Sequence, residues 1–143
     1  ELAQWITDKR LHLCHVFTVD DLKYLHRGGR VSKTAAIAGS ILGIKPLLHV
    51  DNEGHLIPVG KIRGRKQSIE KLVDMMCERM GNWDNSTVAV CHGDCLSDAE
   101  YAADLMRKKL GKKTTVHICY TGAVIGSHSG PGTLALFFMG VQR

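Results

Sequence analysis

Two apolar segments, residues 45–50 and 55–62, are separated only by Asp51-Asn52-Glu53-Gly54. A short polar loop ending in glycine closes a hairpin, with Gly54 suited to a positive φ, so these segments are expected to be adjacent antiparallel strands. The period then changes. From Lys66 to Met80, Ile69, Leu72, Val73, Met76 and Met80 fall on one helical stripe, and Gly81 closes it. A strand at 87–92, a helix opening near Ser97 and ending at Gly111, and a strand at 114–120 follow, which is the order of a crossover. Ser97 and Glu100 have capping-box spacing, with Leu96 and Tyr101 placed as a staple. Further strands are expected at 12–19 and 133–141, and a short helix at 22–27, capped by Asp20-Asp21 and stopped by Gly28-Gly29. Six strands joined by both hairpins and crossovers specify an α/β fold: a two-layer domain with a mixed six-stranded sheet and helices packed on it.

At 143 residues the chain is long enough for one domain with a core. An apolar content of 44% with 23% charged residues excludes a disordered chain. No apolar run is long enough to span a bilayer, and no secretory signal is visible at the start. Five cysteines are too few for a disulfide scaffold and odd in number, so reduced thiols and a cytoplasmic location are expected. The chain opens at Glu1, inside an expected helical segment over 1–9. A fragment of a longer protein is therefore expected, carrying only part of a site.

The net charge of +5 is concentrated. Residues 22–69 hold nine basic groups against two acids, with foci at Arg27–Lys33 and Lys61–Lys66. Such a zone favours anionic partners, or is a solvated basic face. In Arg27-Gly28-Gly29-Arg30-Val31-Ser32, the glycines permit a tight turn that sets Arg30 near the start of the next helix, where anions are attracted. That helix, 33–42 with Ser32 as its cap, has almost no polar face, and Ala35, Ala36, Gly39 and Ser40 allow close approach to its backbone.

Gly122, Gly126 and Gly130 recur every four residues around His128, Ser127 and Ser129. Donors and acceptors thus cluster where the backbone is bare, although a structural histidine between turn residues fits the same pattern. Arg63-Gly64-Arg65-Lys66 is either a charged loop or a site for phosphate, nucleic acid or a protein partner, and it contains no aromatic for base stacking. Cys91-His92-Gly93-Asp94-Cys95 has no second ligand pair, so Cys91 is expected as a packed thiol and no metal is expected.

Several of these segments, in series, resemble the DegV family. They are Leu22–Arg30 with Val31-Ser32-Lys33 and a small-residue helix, Gly43-Ile44-Lys45-Pro46, Arg63-Gly64-Arg65-Lys66, and Gly126-Ser127-His128-Ser129-Gly130-Pro131-Gly132. The resemblance covers about Val16 to Met139 and implies a bacterial fatty-acid carrier of two domains. The chain would be the C-terminal domain, 1–143 as a single unit, with the parallel α/β N-terminal domain lying outside it. It also implies a long-chain fatty acid such as palmitate in an apolar tunnel, and a fatty-acid kinase subunit that phosphorylates the carboxyl group. The residues that directly hold the carboxylate would lie in the N-terminal domain. Here Arg30, His128 and Ser129 would join the carboxylate network, Ile37, Gly39, Ile41 and Ile125 would line the tunnel, and Arg63 or Arg65 would dock the kinase.

The resemblance implies lipid binding and not catalysis, with no cofactor, no metal, no nucleic-acid partner, no transmembrane segment, and room for transient membrane contact. Two other readings remain open. One is a phosphoryl- or acyl-transfer enzyme subunit using Arg30 and His128, for which no partnering nucleophile or carboxylate cluster stands out. The other is a nucleic-acid-binding domain using the two basic foci.

Overall fold

The structure, a computed structural model, describes residues 1–32, 43–141 and 143. The expected helix at 33–42, and with it Ile37, Gly39 and Ile41, lies outside the described residues. Helix α1 spans Leu2–Lys9 and runs through a 3-10 turn, Arg10–His12, into strand β1, Leu13–Thr18. Helix α2 is Lys23–Arg27, followed by β2, Ile44–Val50, and β3, Leu56–Arg63. Then come α3, Arg65–Met80; β4, Thr87–His92; α4, Leu96–Leu110; β5, Thr115–Tyr120; α5, Ala123–Ser129; and β6, Leu134–Met139.

The six strands form one mixed sheet in the order β3-β2-β1-β6-β4-β5. Only β4 and β5 run parallel, and α4 makes the crossover between them. The other four pairs are antiparallel. The β2–β3 hairpin closes as its sequence requires: Asp51 Oδ1 accepts the backbone N–H of Glu53 at 3.0 Å and of His55 at 2.8 Å, and Gly54 has φ +88°.

Strand alternation divides the sheet into two faces. Cys14 and Val16 of β1, Val88 and Val90 of β4, and Leu134, Leu136 and Phe138 of β6 face α3 and α4. From α3, Ile69, Leu72, Val73 and Met76 fill this layer, and Ala99, Ala102 and Met106 meet them from α4. Each fully buried large side chain here is worth about 1.5–3 kcal/mol relative to exposure, so this layer dominates the stability. Phe17, Val19, Leu22, Leu25 and Leu48 form a second, smaller cluster on the opposite face. Leu2, Trp5, Ile6, Leu11 and Leu13 remain exposed at the start of the chain.

Two local expectations change. The capping box at Ser97 and Glu100 is not formed, because α4 begins one residue before Ser97, at Leu96, with Cys95 as its N-cap. The chain is turned before Ser97 by tertiary backbone bonds: Gly93 donates to the Thr133 carbonyl at 2.8 Å, and Gly132 donates to the Gly93 carbonyl at 2.7 Å. Asp94 follows at φ +54°, and the Cys95 N–H reaches His92 Nδ1 at 3.3 Å. The Cys95 carbonyl then accepts from Asp98 and Ala99. Second, the glycine-rich segment contains a helix, α5, bounded by Gly122 and Gly130.

Candidate functional site

Helices α2 and α5 pack against each other on the side of the sheet carrying the smaller cluster. Their contact depends on a missing side chain. Gly28, at the C-terminal end of α2, has an ordinary φ of −77°, yet a β-carbon there would collide with His128 Nδ1 and stand 3.1 and 3.3 Å from two further ring atoms. The imidazole therefore lies directly on the Gly28 backbone. Arg30 folds back on the same residue, its Nη1 donating to the Gly28 carbonyl. Arg30 and His128, far apart in sequence, thus converge at Gly28.

His128 follows Val124 and Ile125 at helical spacings of four and three, which places all three on one side of α5. Val124 and Ile125 are 71% and 61% exposed. An apolar surface therefore lies beside an imidazole and a guanidinium. This juxtaposition suits a ligand with an apolar body and an anionic head. Ser129 faces inward, 4% exposed, and its hydroxyl donates to the Ile125 carbonyl at 2.8 Å. Its proton is engaged and its side chain is buried, so Ser129, expected in the carboxylate network, has no free donor for a carboxylate.

Tyr24 is a member of this site that the sequence reading passed over. Gly130, at φ +80°, abuts its ring, and a β-carbon there would come within 2.5 Å of it. Lys23 and Arg27 flank the same ring at 5.2 and 5.8 Å from its centroid. The available signal was an aromatic side chain between two cations in a short helix.

The second basic focus divides into two kinds of residue. Arg63 is exposed. Arg65, only 20% exposed, turns inward: Nε meets Asp98 Oδ2 at 2.8 Å, Nη2 lies 3.6 Å from Cys95 Sγ, and Nη1 is 3.8 Å from Asp20. Asp20 also holds Lys45 at 2.7 Å. Three cations of the basic zone, Lys23, Lys45 and Arg65, are therefore paired with acids from outside it, which lowers the field that a polyanion would meet. Cys95 donates to the Thr133 carbonyl at 3.3 Å, and burial pushes its thiol pKa up despite the opposing Arg65 charge. Asp20 was expected only as a cap. Its link to Lys45 and Arg65 is a product of the tertiary fold.

Cys91, expected as a packed thiol, is only half-buried, and Cys119 lies opposite it on β5. Among the described residues no helix is long and apolar enough to cross a membrane.

Residues 1–140 match the model of the DegV family, described as "Uncharacterised protein, DegV family". A DegV domain-containing protein of Clostridium perfringens is 46% identical over 140 residues, covering 98% of this chain and 48% of the relative. The crystal structure of DegV, a fatty acid binding protein from Bacillus subtilis, superposes with a TM-score of 0.73 at 32% identity, covering 96% of this chain and 48% of that one. The Streptococcus pneumoniae Fatty Acid Kinase B3 protein, loaded with linoleic acid, has a TM-score of 0.86 at 17% identity, covers 96% and 48% of the two chains, and bears on the fold alone. The chain thus spans about half the length of these relatives. On the length of the match, the identity and the shared mixed sheet, the chain belongs to the DegV family.

Proposed function

We propose that this domain helps to bind a long-chain fatty acid and acts as a carrier rather than a catalyst. The observation that carries the reading is the convergence of His128 and Arg30 on Gly28, beside the exposed apolar pair Val124 and Ile125. A carboxylate needs donors, and an acyl chain needs apolar surface shielded from water. The Bacillus subtilis relative, 32% identical and named a fatty acid binding protein, supports the same ligand class. In this reading the chain is the C-terminal domain of a two-domain carrier. The N-terminal domain supplies the remaining carboxylate ligands, and Ile37, Gly39 and Ile41 join Ile125 in lining the acyl path.

A second step of the proposal is presentation of the carboxyl group to a fatty-acid kinase. Its support is the family resemblance, together with exposed Arg63 and the cleft of about 420 Å³ lined by Arg65, Lys66, Ser97, Asp98 and Tyr101. Arg63 is the better docking candidate, because Arg65 is already engaged by Asp98.

The test is native mass spectrometry of the full-length protein as purified, followed by palmitate titration of the wild type and of the His128→Ala and Arg30→Ala variants. Bound acyl ligand, with weaker uptake in both variants, is expected. Absence of any acyl ligand together with no palmitate uptake would overturn the carrier reading. Uptake unaffected by either variant would overturn the assignment of the head-group residues.

A further inference from the structure

We propose that Cys91 and Cys119 form a reversible disulfide, making the β4–β5 edge of the sheet a site of oxidative modification. The two residues are direct register partners on parallel neighbouring strands. Val88 and Val90 of β4, and Val116 and Ile118 of β5, pack toward α3 and α4. Strand alternation therefore turns Cys91 and Cys119 to the opposite face, side by side. The Cys119 thiol leans back over β4 and donates to the Val90 carbonyl at 3.6 Å, next to Cys91 on the same face.

Neighbouring strands lie about 4.8 Å apart, inside the window of about 4.4–6.8 Å that a disulfide requires between Cα atoms. The β-carbon spacing a disulfide prefers, about 3.5–4.5 Å, is slightly less than this, so the bond forms with some strain and is readily reduced. Cys77 and Cys95 pack with the helical layer, and so does Cys14. The sheet itself separates those three from Cys91 and Cys119, which selects the pair.

Cys119 is exposed, whereas Cys91 is half-buried. Burial first, and the adjacent Cys119 thiol second, push Cys91 up to about 12. An oxidant therefore reacts first at Cys119. With a hydroperoxide, the Cys119 sulfur displaces one oxygen of the O–O bond and becomes a sulfenic acid, and the peroxide is reduced to water or an alcohol. The Cys91 sulfur then attacks the Cys119 sulfur. An S–S bond forms, the S–O bond breaks, and the Cys91 proton leaves with the hydroxyl group as water. A thiol reductant reverses the sequence by exchange. The chemistry does not depend on the ligand of the proposed carrier site.

The test uses the full-length protein, treated with hydrogen peroxide, quenched with an alkylating agent, digested and mapped by mass spectrometry. Cys91 and Cys119 should lose alkylation together, yield a cross-linked peptide lighter by two hydrogens than the sum of its parts, and recover with dithiothreitol. In Cys91→Ser, Cys119 should accumulate as sulfenic acid, trapped by dimedone. The wild-type map decides the matter even if that variant folds poorly. Cys119 oxidised beyond the sulfenic acid while Cys91 remains fully alkylatable would overturn the proposal. So would a Cys119 disulfide that forms only between molecules.

Discussion

Gly28→Ala isolates the link between α2 and the imidazole of α5. Alanine suits the backbone at Gly28, whose φ is −77° and ψ −3°, and a compatible Gly→Ala change alone stabilises by about 0.4–1 kcal/mol. The added methyl group must displace the His128 ring, because it falls on Nδ1 with two more ring atoms within 3.3 Å. Overpacking in a closed core costs about 1–3 kcal/mol, but His128 is only half-buried and can swing outward. The two effects oppose each other, so stability should change by less than about 2 kcal/mol. Ligand binding should respond more strongly. A hydrogen bond to a charged carboxylate is worth about 1.5–3 kcal/mol, and each 1.4 kcal/mol is about tenfold in Kd. Gly28→Ala should therefore weaken palmitate binding about 10- to 100-fold, measured by titration of the full-length protein, with thermal unfolding recorded in parallel. His128→Ala should match it, and the double variant should be no worse than His128→Ala, since both changes act through one ring. Additive losses in the double variant, or an unchanged Kd in a folded Gly28→Ala protein, would refute this reasoning.

Other outcomes follow from the same geometry. Arg65→Ala removes the partner of Asp98 and should cost about 1–3 kcal/mol in urea unfolding, whereas Arg63→Glu should leave stability within about 0.5 kcal/mol and, on the proposed docking of a fatty-acid kinase, impair phosphorylation of the bound acyl group. Leu72→Ala, at a site with no exposure between α3 and the sheet, should cost about 2–5 kcal/mol by the same measurement. His15 has its pKa pushed down to about 4, by burial first and then by the Arg143 guanidinium. Its folded value lies below the unfolded one, so the unfolded chain binds the extra proton. The stabilisation is full above about pH 6.5 and is lost as pH falls toward 4, to the extent of about 2–3 kcal/mol. Urea unfolding between pH 7 and 4 should show this slope in the wild type and a shallower one in His15→Phe.

The fold was largely legible because its signals are local. The Asp51–Gly54 loop, the 69-72-73-76 stripe of α3 and the apolar run of β6 each depend on neighbouring residues, and each element formed where these signals placed it. The start of α4 was misread because backbone bonds from Gly132 and Thr133 turn the chain at Gly93, overriding the side-chain cap at Ser97. Helix α5 was less legible because its glycine spacing reads equally well as a loop. Its ends are secured by Gly122, by Gly130 and by packing against α2.

The motifs around Gly28-Gly29-Arg30 and His128 stand out in the sequence as places where backbone and donors are accessible, and their order along the chain is enough to recognise the family. Periodicity and turn chemistry also determine the strand count and the mixed character of the sheet, since these are properties of residues within a few positions of one another. The tertiary structure decided which residues meet: His128 on Gly28, Tyr24 against Gly130, Arg65 inward to Asp98 and Asp20 rather than outward with Arg63, and Cys91 beside Cys119. Such contacts join residues distant in sequence, and they depend on strand order and register, which no local pattern encodes.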